Sequence, residues 1–397
     1  MKIKLAVLFG GKSVEHEISI ISAVQAMRYI NKEKYELVPV YITKSNEMYH
    51  GDMLTEIEEF TNIKALIKKC IPVHFAIENG RTYLVSSESK LFKKKEISEI
   101  DLAFPIVHGT NCEDGTLHGY LKMMNLPLVG CDLTASAIGM DKYYMKTVFK
   151  DNGIPVLDCK CFTAKDYTTD TESVIESIEQ SIAYPVIVKP VNLGSSVGIS
   201  KAKDRNELSD ALSNAFNFAS KVLVEKAVEN LKEINCSVLG DTDDAKASEC
   251  EEPVNSDEIL SYEEKYLKGS KGGAKGGSKG MASLSRKIPA DITPEQREII
   301  RAMAVKAFKC LGCNGIVRID FMIDTQSGEI YLNEINTIPG SLSFYLWEPL
   351  GVSYTELLDE MIALGIKRHR EQNEISYAFD TNVLEGIHFG GAKGSKM

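Results

Sequence analysis

Residues 4–17, Lys4-Leu5-Ala6-Val7-Leu8-Phe9-Gly10-Gly11-Lys12-Ser13-Val14-Glu15-His16-Glu17, decide the class of fold. The run Lys4 to Phe9 is β-rich and almost entirely apolar, as a parallel strand buried on both faces must be, and it breaks at Gly10-Gly11 into a polar turn. Beyond the turn, Ile20, Ala23, Val24 and Met27 recur at helical spacing. Two more apolar strands, Leu37 to Ile42 and Leu102 to Val107, alternate with helical stretches, the pattern of an open α/β sheet. Gly51 to Glu99, between them, is Lys- and Glu-rich and less regular, and reads as an insertion decorating the sheet. Sheets of this kind take ligands beyond the carboxyl ends of their strands, so Gly10 to Ser13 with Glu15, His16 and Glu17 forms a candidate site. A helix N-terminus there favours a carboxylate or phosphate. His16 and His108 also admit a plain structural role, the preferred one for His16.

Further along, a second block starts near Met140 and contains the apolar strand Tyr184 to Val188, which runs into the loop Asn192-Leu193-Gly194-Ser195-Ser196-Val197-Gly198 and is followed by strand Val222 to Val224. A third block from about Glu229 holds Ile234 to Leu239, a long helix Thr293 to Leu311, and the strands Gly315 to Ile323 and Glu329 to Asn333. The turn Asp324 to Gly328 joins these last two into a hairpin. Ending the long helix at Gly312 accounts for Cys310-Leu311-Gly312-Cys313 better than a metal site, which lacks a second Cys or His pair. The tract Lys268 to Gly280 alternates Lys with Gly, Ser and Ala, a composition that cannot pack a core and predicts a mobile loop.

Composition sets the outer bounds. The chain has 397 residues, 44% hydrophobic and 26% charged, enough for two or three globular domains. Its 46 basic and 56 acidic residues leave a net charge of −10, which argues against a nucleic-acid partner. Nine scattered cysteines read as reduced thiols of a cytoplasmic protein. The apolar run Leu5 to Phe9 is too short for a signal-peptide core, and no stretch approaches a bilayer span, so secretion by a recognisable signal and membrane insertion are not expected.

Two further constellations carry chemistry. In Gly194 to Gly198, glycines allow successive N–H groups to turn onto an anion while Lys189 supplies positive charge; the alternative is an ordinary turn. On the hairpin, side-chain alternation puts Arg318 with Asp320, and Glu334 with Asn336, on single faces. Two carboxylates and an amide oxygen on adjacent strands make a hard oxygen site suited to Mg²⁺; the alternative is a solvated salt-bridge ladder.

Taken together these residues resemble the ATP-grasp superfamily, and within it the D-alanine–D-alanine ligases and relatives such as the ligases of vancomycin resistance. The likeness runs from Leu5 to about Ile366. LFGGKSVEHEISIISA (8–23), HGTNCEDGTLHGYL (108–121), GMDKYYMK (139–146), VKPVNLGSSVGIS (188–200), VLVEKAV (222–228), YEEKY (262–266), VRIDF (317–321) and NEINTIPG (333–340) follow the family's order.

The resemblance implies an ATP-grasp fold with an N-terminal open α/β domain over 1–139, a central subdomain over 140–228, a C-terminal subdomain over 229–372 and a tail over 373–397. It implies that Lys142 and Lys189 touch the α- and β-phosphates, with Ser196 in the ATP site. Glu225, Lys226 and Val228 then line the adenine pocket, and Glu233 takes the ribose hydroxyls. Asp320, Glu334 and Asn336 are expected to hold two Mg²⁺ ions, with Mn²⁺ as a substitute. Glu15 would bind the first amino group, linked through Ser195 to Tyr266, with His108 near that substrate, Lys265 beside the γ-phosphate, and Arg318 with the Gly340 N–H on the tetrahedral oxyanion. The implied reaction forms an acyl phosphate from one D-alanine, which the amine of the second attacks, in a cytoplasmic homodimer serving peptidoglycan precursor synthesis. Alternatives are another D-amino acid or D-2-hydroxy acid as acceptor, or a catalytically silent nucleotide-binding regulator. The sequence departs from the family pattern in three places. Tyr345, followed by Leu346, stands where Ser of a Ser-Leu pair binds the acceptor carboxylate; Cys112 stands for Gly and His118 for Gln.

Overall fold

The computed structural model describes residues 2–88, 96–253 and 286–376. Lys265, Tyr266 and the tract Lys268 to Gly280 lie outside these residues. The described residues form three sheets. The first has the order β6-β5-β4-β3-β2-β1-β7, built from β1 (Ile3–Gly10), β2 (Tyr35–Ile42), β3 (Met48–His50), β4 (Ile71–Glu78), β5 (Arg81–Ser86), β6 (Glu96–Glu99) and β7 (Leu102–Pro105). Strand β1 pairs in parallel with both β2 and β7, and Leu5 to Phe9 are fully buried, as the unbroken apolar run requires. The insertion between β2 and β7 does more than decorate: β3 to β6 add antiparallel strands to one edge of this sheet.

The second sheet, β10-β9-β11-β8, joins β8 (Cys159–Thr163), β9 (Val186–Pro190), β10 (Ser200–Ala202) and β11 (Lys221–Lys226) in antiparallel pairs. In the third sheet β12 (Leu231–Gly240), β13 (Ala245–Pro253), β14 (Arg286–Lys287), β15 (Gly315–Asp324) and β16 (Ile330–Asn336) run in the order β14-β13-β12-β15-β16. The helix Pro294–Cys310 lies on this sheet through Ile300, Ala304 and Phe308, with a Thr293/Gln296 capping box at its start. It stops where Gly312 takes φ +66°.

A short helix, Lys142–Asp151, fixes the geometry of the site. Its Met145 and Phe149 pack into the core of the third sheet, while the Lys142 N–H donates to the Val191 carbonyl after β9 (2.9 Å). Lys142 and Lys146 therefore stand between the second and third sheets. No helix among the described residues is long and apolar enough to cross a membrane.

Candidate active site

The turn after β1 is shaped by backbone contact. Gly10 has φ +96° and a Cβ there would lie 2.2 Å from the Ile42 carbonyl; Gly11 has φ +89° and a Cβ would lie 2.5 Å from Cys112 Sγ. This close turn sets Glu15 at the start of the helix His16–Tyr29, its N–H donating to Ser13 Oγ (3.0 Å). His16 is a structural residue, its ring nitrogens on the Gly11 carbonyl (2.6 Å) and the Tyr41 hydroxyl (3.0 Å). From the second sheet the loop after β9 meets Glu15: the Ser195 hydroxyl donates to Glu15 Oε1, and a Cβ on Gly194 would stand 3.2 Å from that carboxylate. Ser195 and Ser196 have φ of +54° and +61°, so their peptides turn as an anion cradle needs.

Glu15 and this loop share one cavity of about 360 Å³ with His108 and Glu113 from the loop after β7 and with residues of the second and third sheets. At one end Lys189 Nζ lies 2.5 Å from Glu225 Oε1 and donates to Asn333 Oδ1 (3.2 Å), and Lys146 Nζ lies 2.8 Å from Glu225 Oε2. Burial works to raise the Glu225 carboxyl, but the two ammonium groups outweigh it and hold the group at about 2. Lys142 Nζ reaches Glu334 Oε2 (3.3 Å) and the Leu193 carbonyl (2.9 Å).

Along the floor, Asp320 and Glu334 are direct cross-strand partners, as are Arg318 and Asn336, with a bulge after Asp320. Arg318 donates to both Asp320 oxygens (2.7 and 2.8 Å), and Asn336 Nδ2 donates to Asp320 Oδ2 (3.1 Å). Burial opposes ionisation of Glu334, and Lys142, Lys189 and Arg318 reverse it, leaving that carboxyl at about 2. Among the described residues no group of three or more His, Cys, Asp and Glu forms a metal cluster. Two carboxylates with an amide oxygen are nonetheless a donor set that fits a hard divalent ion.

At the far end stand Gly340, Tyr345, Glu251 and Arg286. The Arg286 guanidinium lies 3.9 Å over the Tyr345 ring and 3.3 Å from Glu251 Oε1. Glu233 also lines the cavity.

Of the residues expected from sequence, the cavity thus brings together Glu15, His108, Lys142, Lys189, Ser195, Ser196, Glu225, Glu233, Arg318, Asp320, Glu334, Asn336, Gly340 and Tyr345. Three others stand apart from its lining. Lys226 is exposed at the end of β11, Val228 lies just beyond it, and Leu346 is fully buried in the core next to Trp347, where the helical turn Gly340–Leu346 tucks it in while Tyr345 stays half-buried. His118 is buried on the helix Thr116–Met123, away from the cavity, and burial lowers its ring to about 4.

Sequence reasoning missed Glu113, Lys146, Glu251 and Arg286. For Lys146 a signal existed: it follows Lys142 by one helical turn and so faces the same way.

Comparison with known proteins agrees with this geometry. The family described as the D-Ala-D-Ala ligase N-terminus matches residues 4–131, and the one described as its C-terminus matches 148–363. The chain belongs to the D-alanine–D-alanine ligase family. It is 39% identical to the D-alanine–D-alanine ligase of Acetivibrio thermocellus over 381 residues, covering 93% of this chain and 97% of that one. To the ligase of Thermosipho melanesiensis it is also 39% identical, covering 96% and 98%. Among solved structures, the D-alanine–D-alanine ligase of Coxiella burnetii superposes with a TM-score of 0.77 at 30% identity, over 94% of this chain and 96% of that one. The VanG D-Ala:D-Ser ligase of Enterococcus faecalis gives 0.75 at 33%, over 92% and 100%. The ATP-grasp fold of this ligase family accounts for the second and third sheets flanking the cavity.

Proposed function

We propose that the protein joins two D-alanines at the expense of ATP, through an acyl phosphate, giving D-alanyl-D-alanine, ADP and phosphate for peptidoglycan precursor synthesis. The observation that carries this reading is one cavity holding an amine-binding carboxylate, Glu15, at one wall and buried lysines, Lys142 and Lys189, at another. Arg318 and Gly340 line the same cavity.

The donor's ammonium pairs with Glu15, whose orientation the Ser195 hydroxyl fixes. Lys142 and Lys189 neutralise the phosphates, which frees Glu225 to remain paired with Lys146 when Lys189 turns to ATP. Asp320, Glu334 and Asn336 would hold Mg²⁺, which supplies charge neutralisation to the phosphoryl group. When the acceptor amine attacks, the oxyanion forms where Arg318 and the Gly340 N–H can donate to it. Lys265 and Tyr266 belong to this reading as the γ-phosphate lysine and the far end of the Glu15–Ser195 link. So do the 1–139, 140–228 and 229–372 division, a cytoplasmic location, and a homodimer, which light scattering tests.

The reading is tested by phosphate release from Mg-ATP against a panel of amino-acid pairs, with product masses. D-alanyl-D-alanine as the main product is expected; release without a dipeptide overturns it. A second reading keeps D-alanine as donor with another D-amino acid as acceptor. Tyr345 under the Arg286 guanidinium favours it, because the acceptor end differs from the family's Ser-Leu pair.

A further inference from the structure

The segment that leaves β16 carries Gly340 and then does something costly: Ser341, Leu342 and Ser343 take φ of +51°, +51° and +50°. Three successive side-chain-bearing residues in the left-handed region persist only where surrounding contacts over-determine them. Those contacts come from the helix His16–Tyr29 and the loop after β7, more than 200 residues away in sequence.

The hydrogen bonds there run in one fixed direction. His108 Nδ1 lies 2.7 Å from the Ile338 carbonyl, which can only accept, so Nδ1 carries the proton. Burial keeps the ring neutral, leaving Nε2 an acceptor, and the Ser22 hydroxyl therefore donates to it (2.9 Å). Ser22 Oγ in turn accepts the Ser341 N–H (3.0 Å). At the preceding peptide of the same residue the Ile338 N–H donates to Glu113 Oε1 (2.9 Å), while Glu113 Oε2 accepts the Gly109 N–H (3.0 Å). Both flanks of Gly340 are thus tied to the first domain, and Ser22 does so without lining the cavity.

We propose that Ser22, His108 and Glu113 are positioning residues which aim the Gly340 N–H at the developing oxyanion, an inference that rests on the ligase reading. The role given to His108 shifts accordingly from holding substrate to holding the Ile338 peptide, since both of its nitrogens are engaged within the protein.

The test is Ser22→Ala in the full chain, with Glu113→Asp as a second variant that shortens the carboxylate away from Ile338. Each is assayed for kcat, for KM of ATP, and for affinity toward a phosphinate dipeptide, whose tetrahedral oxygen probes the oxyanion position. Removing such a donor outright costs 10²- to 10³-fold, so loosening it is expected to lower kcat about tenfold, with phosphinate affinity falling in parallel and KM for ATP unchanged. Wild-type kcat and phosphinate affinity in whichever variants fold would overturn the proposal. So would a uniform loss that raises KM for ATP in step, which marks a structural role only. Absence of dipeptide from the wild-type protein overturns the ligase reading instead.

Discussion

Two glutamates line the cavity, one from β11 and one from the loop after β7, each almost wholly buried, and their carboxyls are driven in opposite directions. Glu225 sits between Lys146 and Lys189 and is held at about 2. Glu113 receives only neutral donors, the N–H groups of Gly109 and Ile338 and the Thr337 hydroxyl, and shares its surroundings with Glu15. Burial first, and the charge of Glu15 second, push it up to about 7. Burial alone disfavours both charges equally; the partner decides which one stays ionised. One wall therefore keeps a carboxylate ionised between fixed positive charges, and the other grips a backbone loop.

Glu334 sides with Glu225, and breaking it gives the largest effect on activity. Glu334→Gln removes one of the two carboxylates of the proposed metal site and is expected to cut ligation by about a hundredfold or more, with the protein still folded. Rates near wild type would break the assignment of Glu334 to the charged wall.

Glu225→Gln should act on stability instead. It leaves the Lys146 ammonium buried without its counter-charge and Lys189 with only the more distant Glu334, at a cost of about 3–5 kcal/mol by urea denaturation. Because the folded carboxyl lies below its ordinary 4.5, its contribution is complete above about pH 4.5 and is lost as pH falls toward 2. A variant as stable as wild type at pH 7 would mean that the lysines are solvated.

Glu113 predicts the reverse slope in the adjacent window. Its folded carboxyl lies above the ordinary value, so the charged form is penalised and stability falls as pH rises from about 4.5 through about 7. Relative to Glu113→Gln, wild type should lose about 3 kcal/mol across that window. Parallel stability curves for the two proteins would show that Glu113 titrates normally. Gln also presents an NH₂ to one of two N–H donors, so the comparison is of slopes, not of absolute stability.

What could be read in advance follows the range of the interaction. Strand β1 was legible because Leu5 to Phe9 carry their burial in an uninterrupted apolar run, and the Asp320–Glu334 pairing because alternation and one turn fix the register of a hairpin. The β3 to β6 edge was not, since half-exposed antiparallel strands in a Lys- and Glu-rich stretch carry a weak pattern. Nor was Glu113, whose meaning depends on an N–H 225 residues distant. Arg286 escaped for a similar reason: it has no local pattern, only a ring to lie on that the fold supplies 59 positions later.

That pair gives the smallest effect and the sharpest reading of the acceptor end. In Tyr345 the ring carries the Arg286 guanidinium, and burial followed by the charge of Glu251 pushes the phenol up, so it remains a neutral donor at working pH. Tyr345→Phe keeps the ring and hence the cation–π contact, worth about 0.5–2 kcal/mol, and removes only the hydroxyl. If the hydroxyl holds the acceptor carboxylate, Phe should weaken acceptor binding by about 1.5–3 kcal/mol and leave ATP untouched. If the ring instead serves as a platform for Arg286, Phe should behave as wild type while Tyr345→Ser frees the guanidinium and widens the pocket to larger acceptors. Kinetics for donor and acceptor on both variants separate the two outcomes, and unchanged acceptor affinity and selectivity in Phe and Ser alike would remove Tyr345 from the acceptor end.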